Sequence, residues 1–95
     1  MPKGYCIVRA DIHSPEAYAQ YAKAATEAIR KYGGTPLVRG GDYEAVEGPA
    51  RARNVVLEFE NVEAAKTFYF SPEYQRAKAM RDYAATIEYV IVEGV

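Results

Sequence analysis

The chain has no tryptophan, one histidine and one cysteine. A single cysteine excludes an internal disulfide and a cysteine-based zinc site. A single histidine excludes a multi-histidine metal centre within one chain, so no metal is expected. No apolar run approaches the ~20 residues of a membrane-spanning helix, and no membrane partner is expected. Neither sign of charge dominates: 12 Lys and Arg against 13 Asp and Glu leave a net charge of −1. That balance argues against a nucleic-acid footprint or a polybasic membrane surface. Met1-Pro2-Lys3-Gly4 lacks the long apolar stretch of a signal peptide, which makes the cytoplasm the expected location. No flavin, nicotinamide or nucleotide fingerprint is present, and no cofactor is expected. Gly40-Gly41 follows an arginine but opens no helix, so it reads as a turn and not as a phosphate loop.

What is there is ordinary globular composition, with 49% apolar and 26% charged residues over 95 positions, enough for a single domain spanning residues 1–95. Tyr5 to Ile12 alternates between two faces and predicts a strand. Ser14-Pro15-Glu16 predicts a helix start, with a hydroxyl cap, a proline in the first turn and an acid at the positive end. Tyr18, Tyr21, Ala22, Ala25, Ile29 and Tyr32 then recur at helical spacing until Gly33-Gly34. Pro36–Arg39 is a second strand. Gly40-Gly41-Asp42 is a turn, and Tyr43 to Glu47 reads as a short hairpin strand returning from it. Asn54 to Glu60 is a clear strand. Asn61 caps a short helix, Ser71-Pro72-Glu73 restarts it, and Thr86 to Glu93 is the last strand. The order βαββαβ predicts an α+β, ferredoxin-like fold with a four-stranded antiparallel sheet and both helical segments on one face.

One sheet face is smooth: Cys6, Val8, Ala10 and Ile12; Val55, Leu57 and Phe59; Ile87, Tyr89 and Ile91. It belongs under the helices, where Cys6 is a small core residue and not a nucleophile. The other face carries Tyr5, Ile7, Arg9, Leu37, Arg39, Asn54, Val56, Glu58, Glu88, Val90 and Val92. That surface is too apolar for solvent and too charged for a dry core, which marks an interaction site. Pairing with a second copy would cover it. With β-strand one between three and four, Glu58 and Glu88 are expected to flank Arg9.

Two readings follow. In one, a cavity at the sheet face, either beneath the helices or between the sheets of a homodimer, binds or transforms a small anionic or aromatic molecule. Arg9 or Arg39 would hold the anionic group, Glu58 or Glu88 would move a proton, and Tyr5, Tyr69 and Tyr74 would be the tyrosines to contact the ligand. In the other, the charges only set the assembly of a non-catalytic dimeric or accessory protein. His13, at a strand end, reads as a surface or capping residue. Arg51 and Arg53 read as loop charges able to guide an anion towards a cleft.

The segments Tyr32-Gly-Gly34, Val38-Arg-Gly-Gly41, Glu47-Gly-Pro49, Asn54-Val-Val-Leu-Glu-Phe59, Tyr69-Phe-Ser-Pro-Glu-Tyr-Gln75 and Val90-Ile-Val-Glu-Gly94 together resemble the pattern of the DUF1330 family, a domain of unknown function. The resemblance implies a dimeric α+β barrel, in which two ferredoxin-like sheets pack face to face. It carries no established reaction and no catalytic residue. Two positions depart from the pattern. Phe70 stands where a polar residue is common, and Ala50-Arg51-Ala52-Arg53 lacks a tryptophan often found there.

Overall fold

A computed structural model describes residues 2–95. The elements are β1 (Gly4–Ile12), α1 (Pro15–Lys31), β2 (Thr35–Arg39), β3 (Arg53–Phe59), α2 (Val62–Tyr69), α3 (Pro72–Met80) and β4 (Ala85–Glu93). The sheet order is β2-β3-β1-β4 and all pairings are antiparallel, so the α+β ferredoxin-like expectation holds.

Alternation sets the layers. Along β1, Cys6, Val8 and Ala10 are buried while Tyr5, Ile7 and Arg9 are not, because successive side chains point to opposite faces of a pleated strand. The core beneath the helices joins Cys6, Leu57 and Phe59 of the sheet to Tyr18, Tyr21, Ala25 and Ala28 of α1, Ala65 and Phe68 of α2, and Tyr74 and Ala77 of α3. Phe59 and Phe68 stack at 5.1 Å between centroids, and Phe68 meets Tyr74 at 4.8 Å. Such pairs add to the burial term.

The three helices do not approach the sheet equally. α2 lies close on β1, and Gly4 is what permits it. A Cβ there would overlap the Asn61 carbonyl and come within 2.6 Å of Val62 N. α1 instead packs chiefly against α3, which leaves a cleft between α1 and the sheet.

Caps explain where the helices begin. Asn61 Oδ1 accepts from Ala64 N at 2.8 Å, and Ser71 Oγ accepts from Tyr74 N at 3.1 Å, each satisfying a first-turn donor. Ser14 does not behave as expected: its side chain makes no capping bond. Its backbone N–H and that of His13 both donate to the Ala84 carbonyl, at 3.0 and 2.7 Å, so the start of α1 is tied to the chain entering β4.

The expected hairpin strand at Tyr43 to Glu47 does not form. Residues 41–50 are irregular and exposed. Tyr43-Glu44-Ala45-Val46-Glu47 has no strict alternation to set a buried face, and five residues closed off by Gly-Gly and Gly-Pro cannot hold a pairing alone.

Candidate functional site: a cationic cleft beneath α1

The register decides which expected site residues meet. Arg9 stands opposite Asn54 on one side and Glu88 on the other, whereas Glu58 stands opposite Tyr5. Glu58 therefore does not flank Arg9; it lies four residues away along the face. It accepts a hydrogen bond from the Tyr5 hydroxyl at 3.0 Å, and that bond holds the Tyr5 pKa above its ordinary value. Glu88 is opposite Arg9, yet its carboxylate goes to Arg51, with Nε 3.1 Å from Oε1. Arg51 also reaches Asp11 Oδ2 at 2.7 Å. Asp11 is kept below its usual range first by the Ala52 backbone N–H and then by Arg51. Among the described residues Arg9 has no ion-pair partner within the chain.

Arg39 is on the other side of the sheet from where simple alternation puts it. Pro36 pairs with Leu57, but Val38 pairs with Val56 and Arg39 with Val55, so Leu37 is an extra residue in the ladder. A bulge of one residue reverses every side chain beyond it, which is how bulges re-aim a group. Arg39 consequently faces the helices, where Nη2 donates to Thr26 Oγ1 on α1. Thr26 spends its own proton on the Ala22 carbonyl at 2.7 Å.

Arg53, read from sequence as a loop charge, is the first residue of β3 and shares that side. Its guanidinium carbon lies 5.5 Å from the centre of the Tyr18 ring, a cation–π contact. Gly40 lies so close that a Cβ there would overlap Arg53 Nη1. The alternating pattern of β3 contained the signal that Arg53 shares a face with Val55 and Leu57.

These two arginines and the apolar side of the sheet enclose a cleft of about 50 Å³ beneath α1, bounded by Tyr18, Tyr21, Val55, Leu57, Tyr74 and Tyr89 among others. No carboxylate lines it among the described residues. Two lining residues carry buried donors without a partner: Arg53 Nε and the Tyr89 hydroxyl. The Cys6 thiol is beside Tyr89 but outside hydrogen-bond geometry. Burial, followed by the nearby Tyr74, pushes the Tyr89 pKa far up, so the phenol stays protonated. Tyr21 and Tyr74 share a hydrogen bond at 2.8 Å, and burial raises both pKa values. Tyr69 lies half-buried on the far side of this aromatic group, 5.2 Å from Tyr74 and 4.8 Å from Tyr89 between ring centres. It does not meet Tyr5, which is on the open face. His13 is at the surface, its Nε2 2.7 Å from Thr86 Oγ1, and Cys6 is fully buried.

The chain belongs to the family described as a domain of unknown function (DUF1330), whose pattern matches residues 3–95. The fold is similar to that of a protein of unknown function from Rhodopseudomonas palustris, at a TM-score of 0.75 and 18% identity over 99% of this chain and 83% of that one. It is also similar to a dimeric ferredoxin-like protein of unknown function from Jannaschia sp. CCS1, at a TM-score of 0.70 and 18% identity over 96% and 98%. A third, from Thermobifida fusca and likewise described as dimeric and of unknown function, aligns at a TM-score of 0.66 and 11% identity over 97% and 91%. No curated protein matches the chain. No helix among the described residues is long and apolar enough to cross a membrane.

Proposed function

We propose that this chain is a cytoplasmic homodimer closed through the open sheet face, and that each copy binds a small organic anion in the cleft beneath α1. The observation that carries the binding reading is the composition of that cleft. Arg39 and Arg53 line it, no described carboxylate does, and Arg53 Nε and the Tyr89 hydroxyl are buried donors in want of an acceptor. An unmet buried donor costs free energy that a carboxylate oxygen would recover. The surrounding rings suit an apolar or aromatic body on that anion. Tyr69 supports the ring cluster from behind. Tyr5, Arg9, Glu58 and Glu88 fall on the opposite face and serve the assembly.

Ligand binding to the folded state raises apparent stability by mass action. A thermal-shift series with small carboxylates at low ionic strength is therefore expected to raise the melting temperature of the wild type, while the corresponding amines do not. Arg53→Met is expected to lose that shift. Carboxylates and amines giving the same response would remove the reading. A second reading, a dimer with no ligand, is favoured by one observation: among the described residues Arg9 has no ion pair, and it lies on the face to be covered. It predicts that Arg9→Met weakens self-association and that no small acid shifts the melting temperature.

A further inference from the structure

A second cavity of about 190 Å³, lined by Thr26, Ile29, Arg30, Gly34, Pro36 and Arg39, adjoins the first. Thr26, Ile29 and Arg39 line both chambers. The pair follows one stripe of α1. Tyr18, Ala22, Thr26 and Arg30 recur every four residues; the first three line the inner chamber and the last two the outer one. Facing that stripe, the sheet supplies Arg53 and Arg39. They are diagonal neighbours, because Arg39 pairs with Val55, two residues beyond Arg53. Each is held at its own level of the helix: the Arg53 guanidinium over the Tyr18 ring, the Arg39 guanidinium on Thr26 Oγ1. Arg30 adds a third cation one turn further on. Among the described residues none of the three has an ion-pair partner, and no carboxylate lines either chamber.

The inner chamber, at about 50 Å³, has room for one or two groups of water size at ~30 Å³ each. That admits an acid group and no larger body. The acid group is the acceptor that Arg53 Nε and the Tyr89 hydroxyl lack. Whatever carries it must lie outward, past Thr26 and Ile29, where the next cations are Arg39 and Arg30. An apolar tail there would leave both guanidiniums unpaired. Arg39 commits only Nη2, and to a neutral hydroxyl, so a second carboxylate would give it a charged acceptor and a stronger bond. The spacing limits the length. Tyr18 and Thr26 are eight residues apart, about 12 Å of helix, and side chains along a helix lean the same way. A charged N–H···O contact of ~2.8 Å at each end leaves about 6 Å between the two oxygens, the reach of a four-carbon diacid.

We infer that the two chambers together hold a short α,ω-dicarboxylate of succinate size. Its inner carboxylate meets Arg53 and Tyr89, its two methylenes lie against Ile29, and its outer carboxylate meets Arg39 and Arg30. This rests on the anion-binding reading above and adds to it a second charge and a fixed length.

The test is calorimetric titration of the intact protein with butanoate, malonate, succinate, glutarate and adipate, near neutral pH and at low ionic strength. Succinate is expected to bind at least about tenfold more tightly than butanoate, which has its length but not its second charge; one further charge-assisted pair supplies that much. The four diacids carry equal charge, so a maximum within the series reads length and not net attraction. It is expected at succinate, with malonate and adipate both several-fold weaker. Arg39→Gln, at an exposed position, keeps an amide donor for Thr26 and is expected to bring succinate down to the level of butanoate. Equal binding of succinate and butanoate, a flat diacid series, or an Arg39→Gln variant that still prefers succinate would overturn the diacid site and leave anion binding standing. If neither succinate nor butanoate binds the wild type, both readings fall together.

Discussion

Single side chains set how closely the layers approach, and Gly4 is the sharpest case. It is buried on β1 with the α2 N-terminus pressed against the position of its missing Cβ, and the atoms in the way are backbone. A rotamer change cannot relieve that overlap, so α2 must lift or β1 must bend. Gly4→Ala is accordingly expected to cost about 2 kcal/mol, in the range of overpacking a closed core, measured as a lower urea midpoint at unchanged slope. Glu73 sets the pH response of the helical layer. It accepts from the Lys31 ammonium and from the Tyr32 hydroxyl, the latter at 2.7 Å, pinning the end of α1 to the start of α3. Lys31 first, then Tyr32, lower its pKa from the ordinary 4.5 to about 2. A carboxyl depressed in the folded state contributes stability above its unfolded pKa and loses it as pH falls through the folded one. Stability is therefore expected to decline between pH 4.5 and about 2. Glu73→Gln, which has no proton to take up, is expected to flatten that part of the curve in urea titrations at successive pH values. An unchanged acid limb would place its origin in other carboxyls.

At the scale of elements, the same alternation that made the strands readable also misplaced one of the arginines. β1 and β4 each keep a period of two over seven or more residues, and β3 alternates at its buried end from Leu57 to Phe59, so their inward and outward faces were legible without a structure. β2 has only five residues, and the inserted residue at Leu37 leaves no trace in hydropathy. Its neighbours Pro36 and Val38 look like an ordinary strand either way. Arg39 was therefore readable as a candidate but not as a cleft residue, since one unseen insertion decides its side. The converse holds for Arg53. Its face was in the pattern, but the preceding Ala50-Arg51-Ala52 made it look like part of a loop. Glu88 does stand opposite Arg9, but Glu58 does not join them, for a related reason. Strand order is a property of the fold class, whereas register depends on turns and bulges that the sequence marks only weakly. Glu58 pairs with Tyr5 and not with Arg9 because β1 and β3 are joined through α1 and β2, and no short turn fixes their offset.

For the molecule as a whole, the register gives the open face an order that its composition alone does not. Val38, Val56, Ile7 and Val90 are successive cross-strand partners, so they form one apolar row across all four strands. Three of them are substantially exposed: Ile7 39%, Val38 43% and Val90 52%. On one side of that row run Thr35, Glu58, Tyr5 and Val92, and on the other Asn54, Arg9 and Glu88. Two such faces brought together about a two-fold axis would lay apolar row against apolar row, with carboxylates and arginines at its flanks. The free Arg9 would then find acids on the second copy. The proposed dimer is thus most sensitive at the row, not at the charges. Val90→Lys places one buried lysine in each copy, hence two per dimer. At about 1.4 kcal/mol or more for each, self-association is expected to weaken at least a hundredfold. Sedimentation velocity on Val90→Lys should then report a folded monomer at concentrations where the wild type is dimeric. Gln20→Lys, an added charge at an exposed position of α1, should leave the dimer intact. A wild type that sediments as a monomer at micromolar concentration would mean that the row faces water in solution, and the assembly would have to be abandoned along with the role given to Arg9.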